Sequence, residues 1–208
     1  MAHIPDGLLS VPVLVTGTVV AVAGVGIALR QITDREIPRI AILSATFFAI
    51  SLISIPIGPS SIHLLLGGLM GVILGMGIFP AVLVALALQA VLFGFGGLTT
   101  LGINTTNIAL PGAIAGIAVA PFIRGTQSVP RASVLAALAS VFSVLCTGGL
   151  VALSLWLSSP DFVPAARILI VTYVPLAIVD AIISAVIIGF LKRVNPQSLG
   201  TQSVILER

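Results

Sequence analysis

Charge is nearly missing from this chain. Its 208 residues include six Asp or Glu and nine Lys or Arg, 7% charged against 58% hydrophobic. A soluble domain carries about 25% charged residues, so the composition leaves no surface suited to water and excludes a soluble fold. The apolar runs are continuous rather than alternating, which points to helices and away from a β-barrel. The chain reads as an all-α integral membrane protein of the cell membrane. Cysteine occurs once, at Cys146, so no intramolecular disulfide can form, and its apolar setting reads as a buried small hydrophobe. No Lys or Arg precedes Arg30, so the positive region of a signal peptide is missing and residues 1–10 are expected to stay in the mature protein. The formal charge is +3. The basic residues lie in loops between apolar runs and read as topology signals, not as a nucleic-acid surface.

Seven apolar segments follow: Val11–Leu29, Pro38–Ile55, His63–Gly77, Phe79–Phe93, Asn107–Ile123, Ala132–Leu157 and Ala165–Leu191. The third and fourth are short for a span of about 20 residues, and GMGIFP between them holds no charge, so a broken hairpin fits as well. Seven spans place Arg30, Arg35, Arg39, Arg124, Arg131, Lys192, Arg193 and Arg208 on one face, which the positive-inside rule makes cytoplasmic. Only Arg167 falls opposite. The N-terminus is then outside and the C-terminus inside. No internal repeat or second domain is visible, so residues 1–208 read as one transmembrane domain, with 194–208 a loosely ordered cytoplasmic tail.

This topology gathers MAHIPDG, IGPSSIH and GFGGLTTLGINTTN on the external face, and with them both histidines of the chain, His3 and His63. The Nδ1 of His3 can close a chelate ring with its own backbone nitrogen, and that nitrogen can bind Ni²⁺ or Cu²⁺ as an amide anion. If Met1 is removed, the Ala2 amine completes three nitrogens and His63 a fourth. If Met1 stays, its amine joins the Ala2 and His3 nitrogens and the imidazole, and His63 would be axial. Both sets are planar and all-nitrogen, which selects Ni²⁺ or Cu²⁺, with Co²⁺ also accommodated. Calcium and magnesium need several oxygens, but only Asp6 and Asp161 lie outside. A tetrahedral zinc site needs more Cys or His than exist here. A solvated terminal histidine and a helix-capping His63 are the plain alternatives. Pro5, Asp6 and Gly7 form a turn signal that could fold the first residues back onto the bundle.

MAHIPDG, seven spans and GFGGLTTLGINTTNIALPG together resemble the CbiM/NikM family, the substrate-capture (S) components of energy-coupling-factor (ECF) transporters for cobalt and nickel. The resemblance covers nearly the whole chain. It implies a metal held in a plane by the terminal amine, the backbone nitrogen and imidazole of His3, and His63, with residues 1–10 tucked into the bundle. The family commonly begins Met-His, whereas this chain begins Met-Ala-His; loss of Met1 restores the spacing. The resemblance implies Ni²⁺ or Co²⁺ as transported substrate, with no cofactor. It also implies a CbiQ/NikQ-like coupling subunit, CbiO/NikO-like ATPase subunits and a small CbiN/NikN-like membrane protein as partners.

Other residues acquire candidate roles. Thr99, Thr100, Asn104, Thr105 and Asn107 could hydrogen-bond the N-terminal segment or orient an imidazole, with a helix cap at Asn107 as the alternative. Asp6 could pin the terminal turn. GFGG lacks the Gly-Lys-Ser/Thr of a phosphate loop, so ATP binding is not expected and the chain is not read as an enzyme. Asp180 is the one acid deep in a span, about 18 Å from Lys192 along a helix, and such acids are costly and usually functional. Ala41, Ala45 and Ala49 form a small-residue stripe that could dock on the coupling subunit, while Gly17, Ala21, Gly24 and Ala28 suit packing inside the bundle. Two rival functions are a self-sufficient secondary metal permease and an S component for an organic vitamin. The first needs coupling-ion sites where only Asp180 stands. The second needs aromatic groups where there is one Trp and one Tyr.

Overall fold

The computed structural model describes residues 3–53, 55–57 and 60–199. The elements in order are α1 (Val11–Gln31), α2 (Ile37–Ser51), β1 (Ile55–Ile57), β2 (Ser60–Ile62), α3 (Gly67–Leu74), α4 (Ile78–Phe93), α5 (Leu101–Gly125), α6 (Val129–Ser158) and α7 (Val163–Val194). Short 3₁₀ turns at Gly75–Gly77, Pro160–Phe162 and Pro196–Leu199 join or end helices. Strands β1 and β2 pair antiparallel, Ile55 opposite Ile62.

Five segments are long and apolar enough to cross a membrane: Val11–Gln31, Gly67–Phe93, Leu101–Gly125, Val129–Ser158 and Pro160–Val194. Helix α2, with 15 residues, is shorter. This division differs from the seven segments expected. The second ends at Ser51 rather than Ile55, because the chain turns into the β-hairpin. The third and fourth join into one apolar stretch, broken at Gly75, whose φ of 55° and ψ of −125° no helix can hold. Contacts give the directions on either side of the break. Gly67 and Gly71 of α3 lie against Ile108 and Gly112 of α5, so these helices run in the same sense. In α4, Ala81 meets Ser44, and Gln89 reaches Phe48 and Ser51, so α4 runs in the sense of α2.

Small residues set the closeness of the bundle. A Cβ on Gly71 would run into the Gly112 carbonyl, and one on Gly116 into the Gly71 backbone. Membrane helices associate through such close approaches rather than through hydrophobic exclusion of water. The stripe on α1 is buried as expected, at Gly17, Ala21, Gly24 and Ala28. Gly17 faces Ile103 and Gly24 faces Phe79. The core is built from Phe47, Leu65, Met70, Phe79, Ile108 and Tyr173 among others, while Val15, Val19, Val22, Ile178, Ile182 and Val186 are exposed. Contiguous exposed apolar side chains on long helices mark a lipid-facing surface.

At the end away from the N-terminus, Lys192 donates to the Ile123 and Arg124 carbonyls at 2.9 and 3.3 Å. Cations suit these unpaired carbonyls at a helix C-terminus. Arg124 Nε donates to Leu199 O at 2.7 Å, and Leu199 is buried. The tail is therefore tied to the bundle at Leu199, while residues 194–197 before it are exposed; residues 200–208 lie outside the described residues. Replacing Gly71 by Ala is expected to cost about 1–3 kcal/mol, because backbone of α5 cannot yield as a side chain can. A lowered unfolding midpoint in detergent, beside an unchanged Gly26→Ala chain with open space at its Cβ, checks it.

Candidate metal site

Residues 3–10 form no helix and enter the end of the bundle, where Ile4 and Leu9 are buried with Ile103, Val151 and Leu155. A buried extended backbone needs partners for its polar groups. Asn104, on the first turn of α5, supplies them: Ile4 N–H donates to Asn104 Oδ1 at 3.0 Å, and Asn104 Nδ2 donates to Ile4 O at 3.0 Å. Nδ2 also reaches Thr100 Oγ1 at 3.3 Å.

Asp6 makes the second anchor. Its Oδ1 accepts from Thr99 N at 3.1 Å, Thr99 Oγ1 at 2.5 Å and Thr100 N at 3.1 Å. These amides belong to Thr100, the N-cap of α5, and to Thr99 just before it, and an anion there is favoured by the helix dipole. This explains why α5 begins at Leu101 and not at Asn107 as expected: Asp6 caps it from across the sequence. The hydrogen bond from the Thr99 hydroxyl, with those from the two amides, holds the Asp6 carboxyl below its ordinary range. The GFGG glycines belong to the same contact. A Cβ on Gly97 would strike the Asp6 carboxylate, and one on Gly96, at a φ of 76°, would lie 3.3 Å from the His3 Cβ. Sequence reasoning found no role for these glycines, because only the folded-back terminus shows what they clear room for.

The two histidines meet here. Their rings stack with centroids 4.9 Å apart at 26°, and they are 5% and 3% exposed. His63 Nδ1 hydrogen-bonds the Leu64 carbonyl at 3.0 Å. That bond requires the proton on Nδ1 and leaves the Nε2 lone pair free. Among the described residues, His63 Nε2 and both ring nitrogens of His3 are buried without a hydrogen-bond partner. Orphaned buried nitrogens are rare and call for an explanation. Burial, with the adjacent His63 ring, pushes the His3 imidazole down to about 3. Burial also lowers His63, against the Leu64 hydrogen bond, which raises it. Both rings are therefore neutral at pH 7, the form that donates a lone pair to a cation.

The other expected site residues are placed as follows. Thr100 and Asn104 contact the N-terminal segment directly. Asn107 is buried one turn further along α5 and, among the described residues, its Nδ2 is unpartnered and it makes no hydrogen bond to that segment. Met1 and Ala2 lie outside the described residues. Among the described residues no three His, Cys, Asp or Glu side chains cluster, so side chains alone do not complete a metal shell. Ala41, Ala45 and Ala49 are all exposed on α2. The positive φ of Leu66, just after His63, was not foreseen; a left-handed non-glycine residue costs about 1–3 kcal/mol and clusters at functional sites.

An apolar helical bundle with paired neutral imidazoles at one end defines a multi-pass membrane protein with two nitrogen donors side by side. The family model for the cobalt uptake substrate-specific transmembrane region matches residues 3–198, and the chain belongs to this CbiM family of cobalt and nickel transport membrane components. A Haemophilus influenzae relative named "Putative metal transport protein" is 34% identical over 94% of this chain and 95% of its own length. The fused nickel transport protein NikMN of Rhodobacter capsulatus is 30% identical over 95% of this chain and 63% of its own. The crystal structure of a transition metal transporter shares the fold with a TM-score of 0.73 at 23% identity, over 92% of this chain and 93% of that one.

Acid should release the N-terminal segment. A histidine whose folded value is depressed contributes stability above its unfolded value near 6.5, and that contribution is lost as pH falls. For His3 the window runs from 6.5 down to about 3, and the undocked state gains about tenfold per pH unit for each histidine within it. The Asp6 anchor weakens only below the ordinary Asp value of 3.8. The protection factor for amide exchange at Ile4, corrected for the pH dependence of intrinsic exchange, is expected to fall below pH 6 in wild type and to stay flat in a His3→Phe, His63→Phe chain.

Proposed function

We propose that this chain captures Ni²⁺ or Co²⁺ at the external face, as the substrate-binding subunit of an ATP-driven ECF-type uptake transporter. The observation that carries the reading is the stacked histidine pair with three buried, unpartnered ring nitrogens. Such nitrogens are costly without a ligand, and a borderline cation that prefers imidazole and amide nitrogen takes the one free lone pair of each neutral ring. The His3 and His63 imidazoles are ligands, joined by the terminal amine, from Ala2 or Met1, and by backbone nitrogen. Asp6, Thr100 and Asn104 act behind them by fixing the segment; Asn107 stands further from it.

In this reading residues 1–208 work as one metal-capture domain, with 1–10 the metal-binding segment and 194–208 the cytoplasmic tail. The chain crosses the membrane seven times, N-terminus outside and C-terminus inside. Support comes from the opposed senses of α3 and α4, since α3 runs with α5 while α4 passes from Ile78 at Gly112 to the Gly96 turn at Asn104, against α5, and from the location of Arg124, Lys192 and Arg193 at the end away from the histidines. The fused NikMN relative supports a CbiN/NikN-like partner. A CbiQ/NikQ-like coupling subunit, for which the exposed Ala41, Ala45 and Ala49 stripe is the docking candidate, and CbiO/NikO-like ATPases complete the transporter. This chain itself hydrolyses nothing.

The test is Ni²⁺ and Co²⁺ titration of the purified chain, its N-terminus defined by mass, beside an N-acetylated form and His63→Ala. Acetylation removes the amine, and His63→Ala one imidazole. Each is expected to weaken binding by more than the roughly 10–100-fold typical of an outer-shell change. Equal affinity in all three forms would remove both groups from the site.

A further inference from the structure

Asp180 remains without a task in this account. It is fully buried on α7 and, among the described residues, is the one acid inside helices α1–α7; Asp6, Asp34 and Glu36 lie in connecting segments, and Asp161 lies in the short turn that opens the Pro160–Val194 span. Its Oδ2 accepts the Leu66 N–H at 3.1 Å across 114 positions of sequence. Leu66 is the one described non-glycine residue with positive φ, at 50°. It opens α3, where its carbonyl accepts from Met70 N at 2.8 Å. Three residues earlier stands His63, held to the Leu64 carbonyl.

The geometry makes one connected path from α7 to the imidazole: the carboxylate grips the Leu66 amide, Leu66 sets the left-handed turn, and the turn aims residues 63–65. An anion is also suited to the start of α3, where amide donors point out unpaired. A left-handed leucine persists only where its surroundings hold it, and Asp180 is the polar group doing so. Among the described residues Asp180 Oδ1 has no hydrogen-bond partner, and neither has Ser143 Oγ, which stands 2.6 Å from where a Gly67 Cβ would be. The Asp180 carboxylate thus contacts the His63–α3 connection from beneath.

We propose that Asp180 is a positioning residue for metal capture, holding the Leu66 turn so that His63 stands against His3. The inference rests on His63 being a metal ligand. It makes α7 the element that reports on, or disturbs, the metal shell from within the membrane.

The test compares Ni²⁺ affinity and the visible absorption of planar Ni²⁺ in wild type, Asp180→Leu, Asp180→Asn and Asp180→Glu, all as full chains in detergent. Leucine cannot accept the Leu66 amide; its expected effect is at least a tenfold weakening, with the planar absorption shifted as one imidazole leaves the plane. Asparagine keeps an oxygen acceptor and is expected within about threefold of wild type, because the hydrogen bond and not the charge sets the turn. Should the leucine chain not fold, the glutamate chain decides: its extra methylene displaces the acceptor, and weaker binding with a shifted spectrum is expected. A folded leucine or glutamate chain with wild-type affinity and spectrum overturns the proposal, as does an asparagine chain as impaired as leucine. Failure of wild type to bind Ni²⁺ would instead overturn the metal-capture reading, and this inference with it.

Discussion

The reciprocal hydrogen bonds between Asn104 and the Ile4 backbone are the constraint on which the site depends. Residues 3–10 have no helix or sheet of their own, so each amide entering the bundle needs an outside partner. Asn104 is suited to this because one amide side chain both accepts and donates, matching the N–H and C=O of a single residue. Everything nearby follows from that docking. The Asp6 carboxylate meets the Thr99 and Thr100 amides at the start of α5, Gly96 and Gly97 leave space for it, and His3 is carried beside His63.

Two opposing demands shape this end of the molecule. For the proposed metal capture the imidazoles must be buried and neutral to offer lone pairs, yet burial leaves those lone pairs unpaired until a cation arrives. The structure answers by making the surroundings of the rings stiff. Leu66 is held in a left-handed conformation, α5 is capped from a distance, and α3, α5 and α6 approach through Gly67, Gly68, Gly71, Gly112 and Gly116. A donor set held this way loses little freedom when it binds, which favours affinity. The same close packing brings the Asp180 carboxylate to the Leu66 backbone.

Much of this was legible in the sequence. Low charge and continuous apolar runs are enough to define a membrane bundle, and the pairing of His3 with His63 followed from topology plus the scarcity of histidine. The buried α1 stripe was also readable, since small residues repeat on one helix face. What escaped reading depended on contacts across long sequence distances. Helix α5 starts six residues before the apolar run at Asn107, because its cap is Asp6 and not a neighbour. The end of α2 was placed late, because a run of Ile residues looks the same in a helix and in the hairpin that follows. Nothing local marks Leu66 as left-handed, as leucine has no preference for that region. The tie of the tail to the bundle depends on Arg124 reaching Leu199 across 75 positions.

The most direct test of the central claim is X-ray absorption at the nickel edge of the Ni²⁺-loaded full chain. A planar, all-nitrogen shell with outer scattering from two imidazoles is the predicted result. A six-coordinate, oxygen-rich shell, or scattering from fewer than two imidazoles, would contradict the joining of His3 and His63 in one site.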